Sequence, residues 1–421
     1  MNRVICNHVR PGQRSFVSSK SLFYRYLIPV STREFSSYHF QTQFRNFEMD
    51  KNFFTSLQSI AAVSKRENLR TQSYDVGTLE LKFPRNIISV APPTAKAAPL
   101  LPGETIVSKL SIAVYTAFMR ALNGGPNGRV GCSILVHEGV YVNALGWKMP
   151  RLPEGFSLEI VGLNGVHLVL EDGRQFAVFV NMTLKNCFIF DRRRDRQLAA
   201  ISITDGALVD FIRVKIHSPR ALAIHLAKST LSLVGSAIVD CGSAVLSFES
   251  VLRVTDTVIC TTTDFESLLL LKKTKFEAKN SSFKTSGRIC IFFSKSRGIM
   301  EYCNFIGPSE LPCTYTDRDD CLRLCAGSKV VLLSSNFSNF VSVAISRGYD
   351  CKIVVDSCVI SNCLRAFGFI FNSHGLVKNC LLSSGAVALV ANNVKGEILF
   401  RNNRLTFDPT LSNHLEKDID Y

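Results

Sequence analysis

The chain has 421 residues, 46% of them hydrophobic, and a mean hydropathy of +0.15, so it can bury a long core. No run of 18 apolar residues occurs, which argues against transmembrane insertion. The formal net charge of +15 points to an acidic partner, but it is uneven: residues 1–70 hold eleven Lys/Arg against four Asp/Glu, a net of +7, leaving +8 on the other 351 residues.

The first 33 residues carry Arg3, Arg10, Arg14, Lys20, Arg25 and Arg33 with no Asp or Glu, interleaved with serines and with Phe16, Leu22, Phe23 and Tyr24. An Arg- and Ser-rich, acid-poor leader has the composition of a mitochondrial transit peptide. It is assigned to residues 1–48 and implies the mitochondrial matrix. The alternatives are a basic disordered arm, or sequence upstream of a start at Met49. Residues 49–103 read as a connecting segment, with a linker by composition from Ala91 to Pro99. Residues 104–130 read as a capping helix from Glu104 to Leu122. Val107, Leu110, Val114, Ala117, Phe118 and Leu122 share one side, and Asn123-Gly124-Gly125-Pro126 stops it.

From 131 to 408 one pattern recurs. An apolar, period-two run is followed by a small or polar residue two positions before an apolar anchor. The anchors are Phe188, Ile216, Ala237, Val258, Phe283, Phe305, Phe337, Val359, Leu381 and Leu405. Their spacings are 28, 21, 21, 25, 22, 32, 22, 22 and 24 residues. Such a period means stacked repeats rather than one globule. Alternation within Gly298–Tyr302 and Lys352–Asp356, and the short apolar run Val330–Leu333, indicate strands rather than helices. The expected fold is therefore all-β, a parallel β-helix of about ten rungs spaced about 4.8 Å apart, with residues 409–421 as a tail. Of the 14 Cys, Cys187, Cys358 and Cys380 each precede an anchor, an equivalence that stacking produces. Reduced thiols inside a core are preferred to disulfides.

Two stretches add to the periodicity. Ile134-Leu135-Val136-His137-Glu138-Gly139-Val140-Tyr141 resembles the opening strand of the right-handed parallel β-helix proteins of the pectin-lyase-like superfamily. Leu158-Glu159-Ile160-Val161-Gly162 is similar to that superfamily's second-rung strand. The resemblance spans about residues 104–408; it implies a right-handed coil with a helix over its open first rung, and it says little about function.

Catalytic chemistry on such a cylinder takes paired carboxylates or a cation beside a carboxylate. The best acidic cluster is Asp317-Arg318-Asp319-Asp320, in the longest gap between anchors. Asp319-Asp320 and His374-Gly375 are similar to elements of polygalacturonases, but they lie 54 residues apart and the companion elements are missing. Cys313, Cys321 and Cys325 lack the paired spacing of a zinc site, and His217 and His225 lie in neighbouring strand-like segments. No enzymatic activity, metal or cofactor is expected.

The candidate anion-binding residues fall in two groups. Arg192, Arg193, Arg194 and Arg196 cluster on a loop after Phe188-Ile189-Phe190. Lys272, Lys273, Lys275, Lys279, Lys284, Arg288, Lys295 and Arg297 span about a rung and a half, interleaved with Phe276, Phe283, Phe292 and Phe293. With the leader, these imply a non-catalytic scaffold subunit of a mitochondrial RNA-binding or RNA-processing assembly, with RNA and other subunits of a protein complex as partners. This package resembles accessory subunits of mitochondrial RNA-editing complexes. The alternatives are a carbohydrate-binding or polysaccharide-active β-helix protein, and an intracellular adaptor without RNA contact.

Overall fold

The computed structural model describes residues 80–91, 105–123, 130–143, 155–171, 175–193, 198–219, 221–261, 267–286, 289–308, 320–346, 349–370, 372–392 and 396–407. The chain divides into units 1–75 and 76–421, and all described residues belong to the second. The proposed leader, the tail and most of the Ala/Pro-rich linker lie outside them. Among the described residues no helix is long and apolar enough to cross a membrane.

Among the described residues every strand pairing is parallel and joins one turn of chain to the next, giving a parallel β-helix with three faces. The first face contains Leu222–Ala227, Ser243–Phe248, Ser267–Lys272, Ile289–Ser294, Asp320–Cys325 and Ser342–Ser346. The second face starts at the N-terminal end with Ile87–Val90, Gly131–Val136 and residues 157–161 and 181–185. It continues through nine further strands, from Leu208–Ile212 by way of Lys275–Lys279, Arg297–Glu301, Lys329–Leu333, Lys352–Asp356 and His374–Lys378 to Ile398–Arg401. The short third face includes Lys215–His217, Val258–Cys260, Ser282–Lys284, Asn304–Ile306 and Asn336–Ser338.

The corner between the second and third faces is built the same way on the ten successive rungs that start at Asn186. Asn186, Arg213, Gly235, Asp256, Asn280, Tyr302, Ser334, Ser357, Asn379 and Asn402 form a column with φ between +46° and +58°. A single left-handed residue turns the chain sharply, which explains the asparagines and aspartate. The next residue points inward and caps a backbone amide one rung earlier. Ser236 N–H donates to Thr257 Oγ1 (3.2 Å), Thr257 N–H to Ser281 Oγ (3.2 Å), Cys303 N–H to Ser335 Oγ (3.1 Å) and Cys380 N–H to Asn403 Oδ1 (2.9 Å). A buried amide at a corner would otherwise go unpaired. The corner between the first and second faces repeats the device, with Thr274 N–H donating to Ser296 Oγ (3.0 Å).

The anchors need a correction of register. In the strand pairing, Ile189, Ile216, Ile238, Ile259, Phe283, Phe305, Phe337, Ile360 and Leu382 form one inward column, each at most 1% exposed. Phe188, Ala237, Val258, Val359 and Leu381 sit one residue earlier and face outward. Val258, for example, is 46% exposed. A one-residue slip moves a side chain to the other face. Phe283, Phe305 and Phe337 stack along the axis with ring centroids 5.1 and 4.7 Å apart. Glycines on the second face make room for rings from the first: a Cβ on Gly375 would lie 2.4 Å from the Phe369 ring.

Cys187, Cys303, Cys358 and Cys380 all occupy the inward corner column. A hydrogen bond between Cys358 and Cys380 pushes the first thiol well up and holds the second down at about 7. Burial pushes the Cys132, Cys187, Cys241 and Cys363 thiols up to about 12.

The N-terminal end differs from the sequence reading. The helix spans Leu110–Asn123 and buries Leu110, Ala113, Val114, Ala117 and Ala121, while Leu122 is exposed. The β-branched stretch Thr105–Val107 is instead a strand, paired with Ile87–Val90. Ile87–Val90 in turn pairs with Gly131–Val136, so part of the expected connecting segment is a rung of the stack. Gly131–Val136 pairs with Ser157–Gly162, as the two superfamily-like stretches imply. At this end Glu159 is fully buried, held by the Lys185 ammonium (2.7 Å), Ser133 Oγ (2.6 Å) and Lys82 N–H (2.8 Å).

Candidate functional site

The expected anion-binding residues do not converge. Arg193 is only 2% exposed. Its Nε and Nη2 donate to Asp191 (2.8 and 2.9 Å), and Nη2 also reaches the Leu198 carbonyl (3.0 Å). It clasps its own loop and cannot reach a phosphate outside. Arg192 lies 3.7 Å from Glu171. Arg194, Arg196 and Arg288 lie outside the described residues.

The lysine series is spread over separate columns, and three of its members are ion-paired, two across rungs and one within its own strand. Lys273 pairs with Glu249 (2.7 Å), Lys275 with Glu277 (2.6 Å) and Lys279 with Glu301 (3.5 Å). Lys272 and Lys273 lie over the Phe248 ring at the first corner, 5.4 and 5.5 Å from its centroid. Lys284 is on the third face, Lys295 at the first corner, and Arg297 opens a strand of the second face. Phe276, Phe283 and Phe293 are core side chains, so they are closed to bases.

The acidic loop does not build a catalytic pair either. Asp320 is 2% exposed and bound by Arg323 (Nε 2.7 Å, Nη2 2.5 Å); Asp317 and Asp319 lie outside the described residues. His374 opens a strand of the second face and its Nδ1 accepts the Glu397 N–H (3.3 Å). Cys321 is buried, and burial pushes its thiol well up; Cys313 lies outside the described residues. Burial pushes the His217 and His225 imidazoles down, with Asp240 at 3.4 Å opposing the shift at His217.

A surface that sequence reading missed lies on the corner between the second and third faces. An open depression of about 450 Å³ runs over four rungs there. Its floor is the left-handed column Asp256, Asn280, Tyr302 and Ser334, and its wall is Val258, Ser282, Asn304 and Asn336 at the start of the third face. Four rungs span about 14 Å along the axis. Tyr302 is 55% exposed, its ring held by the left-handed backbone, with Lys279 Nζ 6.0 Å from the centroid. Among the described residues the surface offers amides, hydroxyls, a single carboxylate at Asp256 and one aromatic face. Its signal in the sequence is the residue three before each inward anchor.

No family model matches the chain, and no curated protein matches it. Among solved structures it is similar to a surface adhesin of Streptococcus pneumoniae at 11% identity, covering 71% of this chain and 87% of that one with a TM-score of 0.37. It is similar to the A-module of mannuronan C-5 epimerase from Azotobacter vinelandii at 12% identity, covering 72% and 96% with a TM-score of 0.34. A pectate lyase aligns at 8% identity over 74% and 78% with a TM-score of 0.38. The expected role as a mitochondrial RNA-binding scaffold is corrected on the placement of its cations: among the described residues, those proposed for RNA are buried, paired or dispersed over separate columns. What the chain shares with these solved structures is the fold alone, an all-β parallel β-solenoid that carries, among the described residues, a single helix near its N-terminal end.

Proposed function

We propose that this chain is a carbohydrate-binding β-helix that holds a linear glycan along the corner depression without cleaving it. The observation that carries the reading is the Tyr302 ring standing between Asn280 and Ser334 on a rigid, stacked column. Sugar rings present apolar C–H faces and polar hydroxyl edges. An exposed tyrosine supplies a rigid amphipathic platform at low entropic cost, and the flanking amides and hydroxyls supply donors and acceptors. Glycoside cleavage takes two carboxyl groups about 5–9.5 Å apart. Among the described residues Asp256 is the one carboxylate lining the depression, which supports binding over bond breaking.

Titration of the full chain against a panel of neutral and acidic oligosaccharides tests this, read by calorimetry with Tyr302→Ala alongside. A bound glycan should lose at least tenfold in affinity on Tyr302→Ala, about 1.4 kcal/mol. A panel with no binder, or a binder indifferent to Tyr302→Ala and Asn280→Ala, refutes the reading.

A further inference from the structure

The outward positions of the second face change character along the cylinder. Each five-residue strand points its first, third and fifth side chains out. The strand Lys275–Lys279 presents Lys275, Glu277 and Lys279. The next three strands present Arg297, Ile299 and Glu301; then Lys329, Val331 and Leu333; then Lys352, Val354 and Asp356. The strand after them presents His374, Leu376 and Lys378. The pairing registers these residues into straight columns, one per position. A ridge of aliphatic side chains thus runs down the middle of the face, with Arg297, Lys329, Lys352 and His374 along one edge and Glu301, Leu333, Asp356 and Lys378 along the other, so that carboxylates occupy the first and third places of the second edge. Ile299 is 47% exposed. Arg297, Lys329 and Lys352 are exposed, and among the described residues no carboxylate lies within ion-pairing distance of them. Glu301 holds Lys279 at the surface (3.5 Å) and keeps most of its acceptor capacity, while Asp356 holds Lys378 (2.9 Å) and also accepts from Ser357 Oγ (2.9 Å) and Asn379 Nδ2 (3.0 Å), which leaves it a smaller share.

We infer that this face docks on the same face of a second copy, with the two cylinders side by side and parallel. The charge pattern selects the arrangement. A half-turn about an axis along the ridge keeps the rungs level and exchanges the two edges. Arg297 of each copy then meets Glu301 of the other, Lys352 meets Asp356, and the ridge residues pack on their own counterparts. A half-turn about an axis across the ridge sets cation edge against cation edge and is repelled. The same operation bounds the contact on the N-terminal side, where Lys275 would meet Lys279 and Glu277 would meet itself. The contact is isologous, so it closes at two copies. Four rungs of five residues cover roughly 300 Å² of sheet, below the ~800 Å² per partner of a standard stable interface. The dimer is therefore weak and concentration-dependent.

Sedimentation equilibrium of the full chain over a wide concentration range, without glycan, tests the inference through a charge swap. Arg297 and Glu301 lie about 13 Å apart on one strand, too far to pair within a copy. Arg297→Glu should weaken association at least tenfold. Arg297→Glu with Glu301→Arg should restore it to within a few-fold of the parent, because only contact between copies brings the two positions together. Both positions face solvent, and an unchanged melting curve confirms that the variants fold. A chain that stays monomeric at every concentration overturns the inference. So does a dimer indifferent to Arg297→Glu, or one that the swap does not restore.

Discussion

Val258 and Ile259 are adjacent apolar residues on the third face, and the two registers assign them opposite fates. In the structure Ile259 is fully buried in the inward column between Ile238 and Phe283, whereas Val258 is 46% exposed on the wall of the depression. Ile259→Ala removes buried methyl and methylene groups from a column with rigid neighbours above and below. Substitutions of that kind cost about 2–5 kcal/mol, and a stacked core with little room to collapse places this one near the middle, at about 3 kcal/mol. Val258→Ala loses a partly exposed side chain and some strand preference, together under about 1 kcal/mol. Urea unfolding followed by circular dichroism reads both, and the midpoint should fall clearly for Ile259→Ala and little for Val258→Ala. Equal losses at the two positions, or a larger loss at 258, would refute the register and with it the outward placement of the depression wall.

Three further outcomes follow from particular contacts. Lys185→Met leaves the Glu159 carboxylate buried without its cation and should cost about 3–5 kcal/mol, while adding Glu159→Gln should recover much of that in the same unfolding assay. Thr257→Val removes the acceptor of the Ser236 amide and should cost about 1–3 kcal/mol, visible as faster hydrogen exchange at that amide. The His167, His217 and His225 imidazoles are pushed down by burial. The unfolded chain therefore takes up protons that the folded chain resists. Stability should fall as pH drops below about 6.5, the unfolded value, and a pH series of urea midpoints with a shallower slope in His225→Leu checks the cause.

The stack was legible because a rung repeats the same backbone problem every 21 to 25 residues, apart from the longer first gap and the loop before Asp320. Its register was not, because the third face carries apolar residues on both sides at Phe188-Ile189, Val258-Ile259, Val359-Ile360 and Leu381-Leu382, which erases the alternation. The cations misled for a related reason. Lys273 and Glu249 are 24 residues apart in sequence and become neighbours only once the rungs are stacked, as do Lys279 and Glu301 at 22. Tyr302 closes an alternating run and so reads as the end of a strand. Its left-handed φ of +53° turns it out at the corner instead, beside Asn280 and Ser334.

Hydrogen exchange with and without a glycan that the chain binds probes the corner most directly. Protection should rise in four short segments one rung apart in sequence, around 256–258, 280–282, 302–304 and 334–336, and leave the first face unchanged. Protection confined to one loop, or spread along the first face, would contradict a ligand lying lengthwise across stacked turns.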